Sequence, residues 1–160
     1  MTDPAAISTD RPNRYPWPPI IYVVALAIAF VLDRLVPLWP PTVDPDLHHL
    51  DDVLIVIGLA VGFSGFFYFQ IIGTPFNPVG RAKRLATGGI YRVTRNPMYL
   101  GALIFFVGFA LAFASGWLLL ALAPIAIALQ KLAIEPEEAY LTRRFGDQYL
   151  AYCAKVRRWM

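Results

Sequence analysis

Charged side chains are scarce in this chain: they make up 16% of its 160 residues, whereas hydrophobic residues make up 58%. A soluble domain carries roughly a quarter of its residues as charged side chains. The chain has one cysteine, Cys153, so an internal disulfide is excluded. It also lacks a glycine-rich phosphate loop, a cysteine and histidine cluster at metal-ligand spacing and a nucleophile elbow. These absences leave the common soluble nucleotide-binding, zinc-binding and serine-hydrolase classes without support.

The hydrophobic residues lie in long blocks, which is typical of an integral membrane protein. A helix needs about 20 apolar residues to cross the hydrocarbon core of a bilayer. The sequence predicts an all-α fold with four membrane-spanning helices, at residues 17–36, 53–72, 98–114 and 117–134. Only Ser115 and Gly116 separate the last two helices, which are therefore predicted to form a helical hairpin.

Glycines recur within two of the predicted spans at intervals that favour close helix packing. Gly58 and Gly62 lie in the second span, and Gly101 and Gly108 lie in the third. Because lipid supplies no hydrophobic drive between helices, small residues that let backbones approach are a common means of association. We expect these glycine faces to mediate close packing.

The spans and their polar flanks are predicted to form a single domain, residues 1–160. Residues 1–16 are polar and rich in proline, and they are predicted to be a flexible tail. Residues 136–157 carry apolar side chains at helical spacing, which predicts cytoplasmic helices lying over a site. We expect Gly146 to end the first of these helices and Asp147 to cap the second. The apolar stripe consists of Leu141, Phe145, Tyr149, Tyr152 and Val156.

The positive charges are sorted by predicted membrane side. With four spans and both termini on one side, 13 of the 14 lysines and arginines fall on that side, and only Arg34 falls on the other. Such a bias marks the cytoplasmic side. The sequence therefore predicts a multi-pass protein of the cell membrane with cytoplasmic termini. It attributes the net charge of +3 to topology rather than to a nucleic-acid partner.

A proline-rich loop between the first two spans contains His48, His49 and several aspartates. Histidine and aspartate side chains can bind a metal ion, but their spacing here fits no known ligand frame. A solvated loop is the preferred interpretation, and no metal site is predicted.

The segment Gly88–Gly101 is a short basic stretch between two long apolar runs. It contains two tyrosines, Tyr91 and Tyr99, and the helix-breaking pair Asn96-Pro97. In a chain this apolar, a basic and aromatic segment at the start of a membrane helix is where polar chemistry can take place. We therefore predict that the functional site is organised around this segment.

Lys131 and an acidic group, Glu135, Glu137 and Glu138, would meet that segment on the cytoplasmic side. Lys131 and Glu135 share a helix face as an i,i+4 pair. A lysine inside the edge of a hydrophobic helix is costly unless it is paired or functional. A snorkelling lysine with a surface ion pair is the competing interpretation. A pocket with one cation, carboxylates and two aromatic faces would suit a zwitterionic or cationic ligand with an apolar neighbour.

The second half of the chain resembles the isoprenylcysteine carboxyl methyltransferase family and its relatives among membrane phospholipid methyltransferases. The pattern L-x-x-G-x-Y-x-x-x-R-[HN]-P-x-Y-x-G is matched from Leu85 to Gly101, with Gly88 or Gly89 as its first glycine by the register of Tyr91. The pattern E-E-x-x-L-x-x-x-F-G-x-x-Y-x-x-Y-x-x-x-V-x-R is matched from Glu137 to Arg158. The resemblance is specific to the superfamily and unspecific for substrate.

This resemblance implies S-adenosyl-L-methionine as methyl donor, bound under the C-terminal helices, and a lipophilic acceptor that enters from the bilayer. Lys131 aligns with an arginine that holds the substrate carboxylate in the prenylcysteine enzymes, so it is the predicted catalytic residue. By motif position, the predicted cofactor-binding residues are Lys83, Arg84, Leu85, Ala86, Tyr91, Asn96, Pro97, Met98, Tyr99, Glu135 and Glu138. The implied mechanism is in-line methyl transfer, in which the protein mainly aligns and desolvates the reactants.

Two residues depart from the family pattern. Asn96 replaces the commoner histidine and cannot titrate near neutral pH, so an acid-base role at this position is not expected. Lys131 replaces the arginine and lacks its planar, two-pronged grip on a carboxylate. Amines, thiols and other lipid nucleophiles therefore stay open as acceptors.

Two other functions compete with this interpretation. Membrane sterol reductases that use NADPH carry a similar R-x-P-x-Y step and a similar closing motif, although they usually have more spans. A small helical scaffold would use the glycine faces of the spans to assemble partners and would need no polar site.

Overall fold

The structure is a computed structural model that describes residues 15–38, 49–73 and 84–160. These ranges contain helices and turns but no β-strand, so the all-α prediction is confirmed for them. The helices are α1 (Trp17–Leu35), α2 (Leu50–Ile71), α3 (Pro97–Ala112), α4 (Gly116–Leu129), α5 (Glu135–Phe145) and α6 (Asp147–Lys155). A 3₁₀ turn occupies Gly89–Arg92, and a π-helical turn, Gln130–Ile134, joins α4 to α5. Most of the predicted N-terminal tail, His48 and Lys83 lie outside the described residues.

Among the described residues, three helical stretches are long and apolar enough to cross a membrane: Trp17–Leu35, Leu50–Ile71 and the continuous helix Gly116–Phe145. The apolar helix α3 has 16 residues and is shorter than the other three. Apolar side chains such as Val23 and Phe67 point away from the rest of the chain, as expected for surfaces that face lipid. The chain is therefore a multi-pass membrane protein. It stays a prediction that α3 crosses the membrane, as the four-span topology requires.

Helices α2 and α3 pack closely enough for their backbones to be in contact. A Cβ atom built on Gly58 would lie 2.7 Å from the Gly101 carbonyl oxygen, and one built on Gly101 would lie 2.6 Å from the Gly58 carbonyl oxygen. A Cβ on Gly108 would lie 2.7 Å from the Asp51 carbonyl oxygen. Glycine is required at these three positions, because any side chain would collide with the facing backbone. The predicted close packing of the glycine faces is confirmed.

The predicted hairpin of α3 and α4 is also confirmed, and α1 anchors its turn. The Ser115 hydroxyl donates a hydrogen bond to the Asp33 carboxylate at the end of α1. The same oxygen caps α4 by accepting a hydrogen bond of 3.1 Å from the Leu118 amide. The Trp117 indole donates to the Val36 carbonyl at 2.7 Å. These contacts hold the hairpin turn against the end of the first span.

The C-terminal helices fold over the segment that precedes α3. Their apolar stripe is confirmed, since Tyr149, Tyr152 and Val156 are buried in one cluster with Ala86 and Tyr91. The predicted break between the two helices is also confirmed. The assignment of Asp147 as the cap is wrong, because Asp147 is the first residue of α6 and Gly146 holds the cap position. Gly146 has φ +51°, a conformation that glycine adopts without strain.

Replacement of Gly101 by alanine should destabilise the fold by about 1–3 kcal/mol, because the new methyl group must push two backbones apart. Gly62→Ala is the matched control, since a Cβ there would meet its nearest atom, the Met98 carbonyl oxygen, at 4.0 Å. The free energy of unfolding of both variants can be measured in detergent micelles. Equal effects of the two substitutions would contradict the direct backbone packing.

Candidate active site

The 3₁₀ turn Gly89–Arg92 holds Tyr91 in the centre of the C-terminal core. Gly89 has φ +56°, and a Cβ there would lie 2.9 Å from a ring carbon of Tyr68, so the turn needs glycine. The Tyr91 side chain is buried, and its ring packs on Tyr68 and Phe69 with centroid distances of 5.7 and 5.5 Å. The tyrosine of the predicted site is therefore rigidly held.

The hydroxyl group of Tyr91 is buried without a hydrogen-bond partner among the described residues. Burial, followed by the negative charge of Glu137, raises the pKa of Tyr91, so this hydroxyl stays protonated and can donate. Its backbone carbonyl, in contrast, accepts a hydrogen bond of 2.7 Å from the Tyr152 hydroxyl. Because an unpaired buried hydroxyl costs free energy, the Tyr91 side chain indicates a place for a polar ligand.

Tyr99 and Glu137 join the beginnings of α3 and α5. Tyr99 lies in the first turn of α3, and its hydroxyl donates a long hydrogen bond of 3.4 Å to the Glu137 carboxylate. Both residues are half-buried. A carboxyl group beside tyrosine rings presents acceptor oxygens and polarisable faces, an arrangement suited to a cationic ligand.

Lys131 and Glu135 form an exposed ion pair at the π-helical turn. The Lys131 ammonium nitrogen lies 2.9 Å from one carboxylate oxygen of Glu135 and donates to the other at 3.2 Å. The Gln130 amide also donates to Glu135, at 3.3 Å. Lys131 lowers the pKa of Glu135. The side chains of Lys131 and Glu135 are 61% and 37% exposed, so solvent or lipid headgroups can reach the pair.

Glu138 is bound by two arginines. Arg158 holds both of its carboxylate oxygens, with hydrogen bonds of 3.0 Å from Nε and 2.7 Å from Nη2. Arg95 lies 3.2 Å from Oε1 of the same carboxylate and also donates to the Cys153 sulfur at 2.7 Å. The carboxylate raises the pKa of Arg158. The Glu138 side chain is 18% exposed, so the pair of arginines neutralises a largely buried charge.

An open hollow of 560 Å³ lies beside the break between α5 and α6. Its lining combines cationic, amide and apolar groups, which is a composition suited to an organic ligand. The lining residues are Arg84, Leu85, Thr87, Phe145 and Gln148. Leu85 and Phe145 also pack against the cluster around Tyr91, so the hollow borders the core that contains this tyrosine.

Three predicted cofactor-binding residues are engaged elsewhere in the protein. The Asn96 amide donates a hydrogen bond of 3.0 Å to the Arg158 carbonyl. Pro97 and Met98 pack on α2, since a Cβ built on Gly65 would lie 2.9 Å and 3.1 Å from their side chains. Their part in binding a cofactor stays a prediction.

The structure brings Tyr99 to Glu137, whereas it pairs Glu135 with Lys131 on an exposed face. The sequence analysis places Glu137 in the acidic group near the site but does not identify it as the partner of Tyr99. It assigns no contacts to Arg95 and Arg158, which are charged residues within the two matched patterns.

The apolar helices define a multi-pass membrane protein, and a polar and aromatic cluster lies at the beginnings of α3 and α5. The sequence profile of the family described as "Phospholipid methyltransferase" matches residues 48–148. This range is more than half of the chain, and the chain belongs to this family. The resemblance stated above is thereby confirmed.

Three curated proteins are similar to parts of this chain. Protein-S-isoprenylcysteine O-methyltransferase B of Arabidopsis thaliana is 34% identical over 73 residues, which are 46% of this chain and 37% of that protein. Protein-S-isoprenylcysteine O-methyltransferase A of the same plant is 36% identical over 72 residues, 45% of this chain and 36% of that protein. An uncharacterized protein of Haemophilus influenzae is 33% identical over 63 residues, 39% of this chain and all of that protein. The match therefore covers little more than a third of each plant enzyme.

Tyr91→Phe should leave the free energy of unfolding unchanged or raise it by about 1 kcal/mol, because it removes a buried hydroxyl that has no partner in the described structure. Tyr152→Phe is the control, since it breaks the hydrogen bond to the Tyr91 carbonyl and should cost about 1–3 kcal/mol. Both values can be measured by thermal unfolding without added ligand. A loss of stability in Tyr91→Phe equal to that in Tyr152→Phe would contradict the unpaired state of this hydroxyl.

Proposed function

We propose that this protein is an S-adenosyl-L-methionine-dependent methyltransferase that acts on a lipophilic acceptor entering from the bilayer. Membership in the phospholipid methyltransferase family supports the reaction class. The observation that carries the proposal is the cluster of the buried Tyr91 with the half-buried Tyr99 and Glu137 at the beginnings of α3 and α5. This cluster combines an unpaired hydroxyl donor with a carboxylate and aromatic faces.

These residues fit the proposed donor. S-adenosyl-L-methionine supplies a methyl group already activated by a positively charged sulfur, so the protein needs to align it and exclude water. Glu137 and Tyr99 would face that positive charge, and the Tyr91 hydroxyl would donate a hydrogen bond to a polar group of the donor. Arg84 and Leu85, at the neighbouring hollow, would contact other parts of the same molecule.

The proposed acceptor approaches from the lipid side at the π-helical turn. Lys131 follows Ile127 by four residues, so the two share a helix face, and the Ile127 side chain is 63% exposed. The exposed Ile127 could contact the apolar part of a lipid while the exposed Lys131 contacts its polar headgroup. Because Glu135 neutralises Lys131, an acceptor with a neutral or zwitterionic polar end fits this edge better than a free carboxylate.

Binding of S-adenosyl-L-methionine to the purified protein in detergent tests the proposal directly. Glu137→Gln should weaken binding at least tenfold, which corresponds to about 1.4 kcal/mol, because it removes the acidic group that can ionise beside the sulfonium. Asp147→Asn is the matched control, since its side chain is exposed at the beginning of α6. Titration calorimetry measures both affinities. Absence of binding by the folded wild-type protein, or binding of NADPH in its place, would refute the proposal.

Lys131→Ala separates a role toward the acceptor from a structural role. An exposed ion pair contributes about 0–1 kcal/mol, so the melting temperature should change little. Methylation of a membrane lipid extract with labelled donor should fall at least tenfold, while donor affinity stays the same. Lys155→Ala, at the exposed end of α6, should leave both unchanged. Equal activity of the two variants would show that Lys131 is only a surface cation.

A further inference from the structure

The last residues of the chain lie directly against the segment that leads into α3. Residues Val156–Arg158, which we call the C-terminal strap, follow α6, and Val156 has an extended backbone with its side chain buried beside Tyr91. The Arg95 amide donates a hydrogen bond of 3.1 Å to the Arg157 carbonyl. The strap is thus bound to the Thr94–Asn96 segment through the backbone.

The Arg158 carbonyl is the second point of attachment. It accepts hydrogen bonds from the Thr94 hydroxyl at 3.2 Å and from the Asn96 side-chain amide at 3.0 Å. Thr94 is buried, and its hydroxyl oxygen in turn accepts a hydrogen bond of 3.2 Å from the Asn96 backbone amide. The Asn96 side chain therefore has a structural role, since its amide donates a hydrogen bond to the strap.

The Arg158 side chain reaches in the other direction, to α5. Its guanidinium binds both oxygens of Glu138, and such two-pronged pairs are geometrically specific. Glu138 follows Glu137, and Thr94–Asn96 lies between Tyr91 and Tyr99 in the sequence. Arg158 therefore contacts both of the chain segments that supply Tyr91, Tyr99 and Glu137.

We infer that Arg158 is a positioning residue that fixes the segment carrying Tyr91 and Tyr99 relative to the Glu137 carboxylate. It does so without contacting the reactants. The expected effect of Arg158 on donor binding rests on the proposed function, whereas its effect on the Thr94–Asn96 segment does not. By the same geometry, Glu138 is a structural bridge between two arginines and has no carboxylate oxygen left unbound.

Arg158→Ala tests this inference by the binding of S-adenosyl-L-methionine to the full chain in lipid nanodiscs. We expect affinity to fall at least tenfold at a temperature where the variant is folded. Arg158→Lys should restore it only in part, because an ammonium group cannot bind both oxygens in the same way. Arg157→Ala is the matched control, since Arg157 contributes only its backbone carbonyl to the described contacts and should stay within twofold of wild type.

Hydrogen exchange of the Arg95 amide provides a readout that needs no ligand. This amide is protected by the Arg157 carbonyl, and we expect its exchange to accelerate at least tenfold in Arg158→Ala but not in Arg157→Ala. The Leu100 amide, which bonds to the Asn96 carbonyl at 2.9 Å within α3, should be unaffected. Should Arg158→Ala fail to fold, Thr94→Val removes one donor to the same carbonyl with nearly the same volume.

The two readouts keep the hypotheses apart. Failure of the wild-type protein to bind S-adenosyl-L-methionine would refute the proposed function, and hydrogen exchange would still decide the role of the strap. Unchanged exchange of the Arg95 amide in Arg158→Ala would overturn the inference. Unchanged affinity in a folded but less stable Arg158→Ala would also overturn it, because Arg158 would then serve stability alone.

Discussion

The largely buried carboxylate of Glu138 sets the arrangement of the polar half of this protein. A charge in such a place is tolerated only when it is paired and fully hydrogen-bonded. Arg95 and Arg158 supply that pairing from two segments that are far apart in sequence. Satisfying this one carboxylate therefore draws the end of the chain, the beginning of α5 and the segment before α3 to one point. Tyr91, Tyr99 and Glu137 lie next to these three segments, which therefore fix their positions.

The membrane half is held together by a different kind of contact. Where α2 meets α3, Gly58 and Gly101 bring two backbones so close that no side chain fits between them. Lipid tails are as apolar as the helices, so packing of this kind has to replace hydrophobic burial as the source of association. The helix from α4 to α5 is continuous, and α6 packs against the segment before α3.

Helix positions, the α3–α4 hairpin and the apolar stripe of α5 and α6 could be predicted from the sequence, because each leaves a periodic or compositional signal. The pairing of individual charged residues left no such signal. Helical spacing correctly predicted that Lys131 contacts Glu135, yet it could not tell which glutamate reaches Tyr99. That choice depends on the rotation of α5 about its axis and on contacts between residues 38 positions apart. The strap contacts to Thr94 and Asn96 involve a backbone carbonyl, and side-chain patterns in the sequence do not predict such contacts.

The π-helical turn explains why the acidic group divides into separate roles. At 3.6 residues per turn, Gln130 and Glu135 would lie about 140° apart around an α-helix. Their hydrogen bond of 3.3 Å is consistent with the i→i+5 spacing of the π turn, which also keeps Lys131 beside the same carboxylate. The inserted turn rotates everything that follows, so Glu137 reaches Tyr99 and Glu138 reaches the two arginines. Such turns are frequent at functional sites, and here the turn separates the exposed Lys131–Glu135 pair from the half-buried Glu137 and Glu138. In the proposed reaction these are the two environments that a lipophilic acceptor and a cationic donor require.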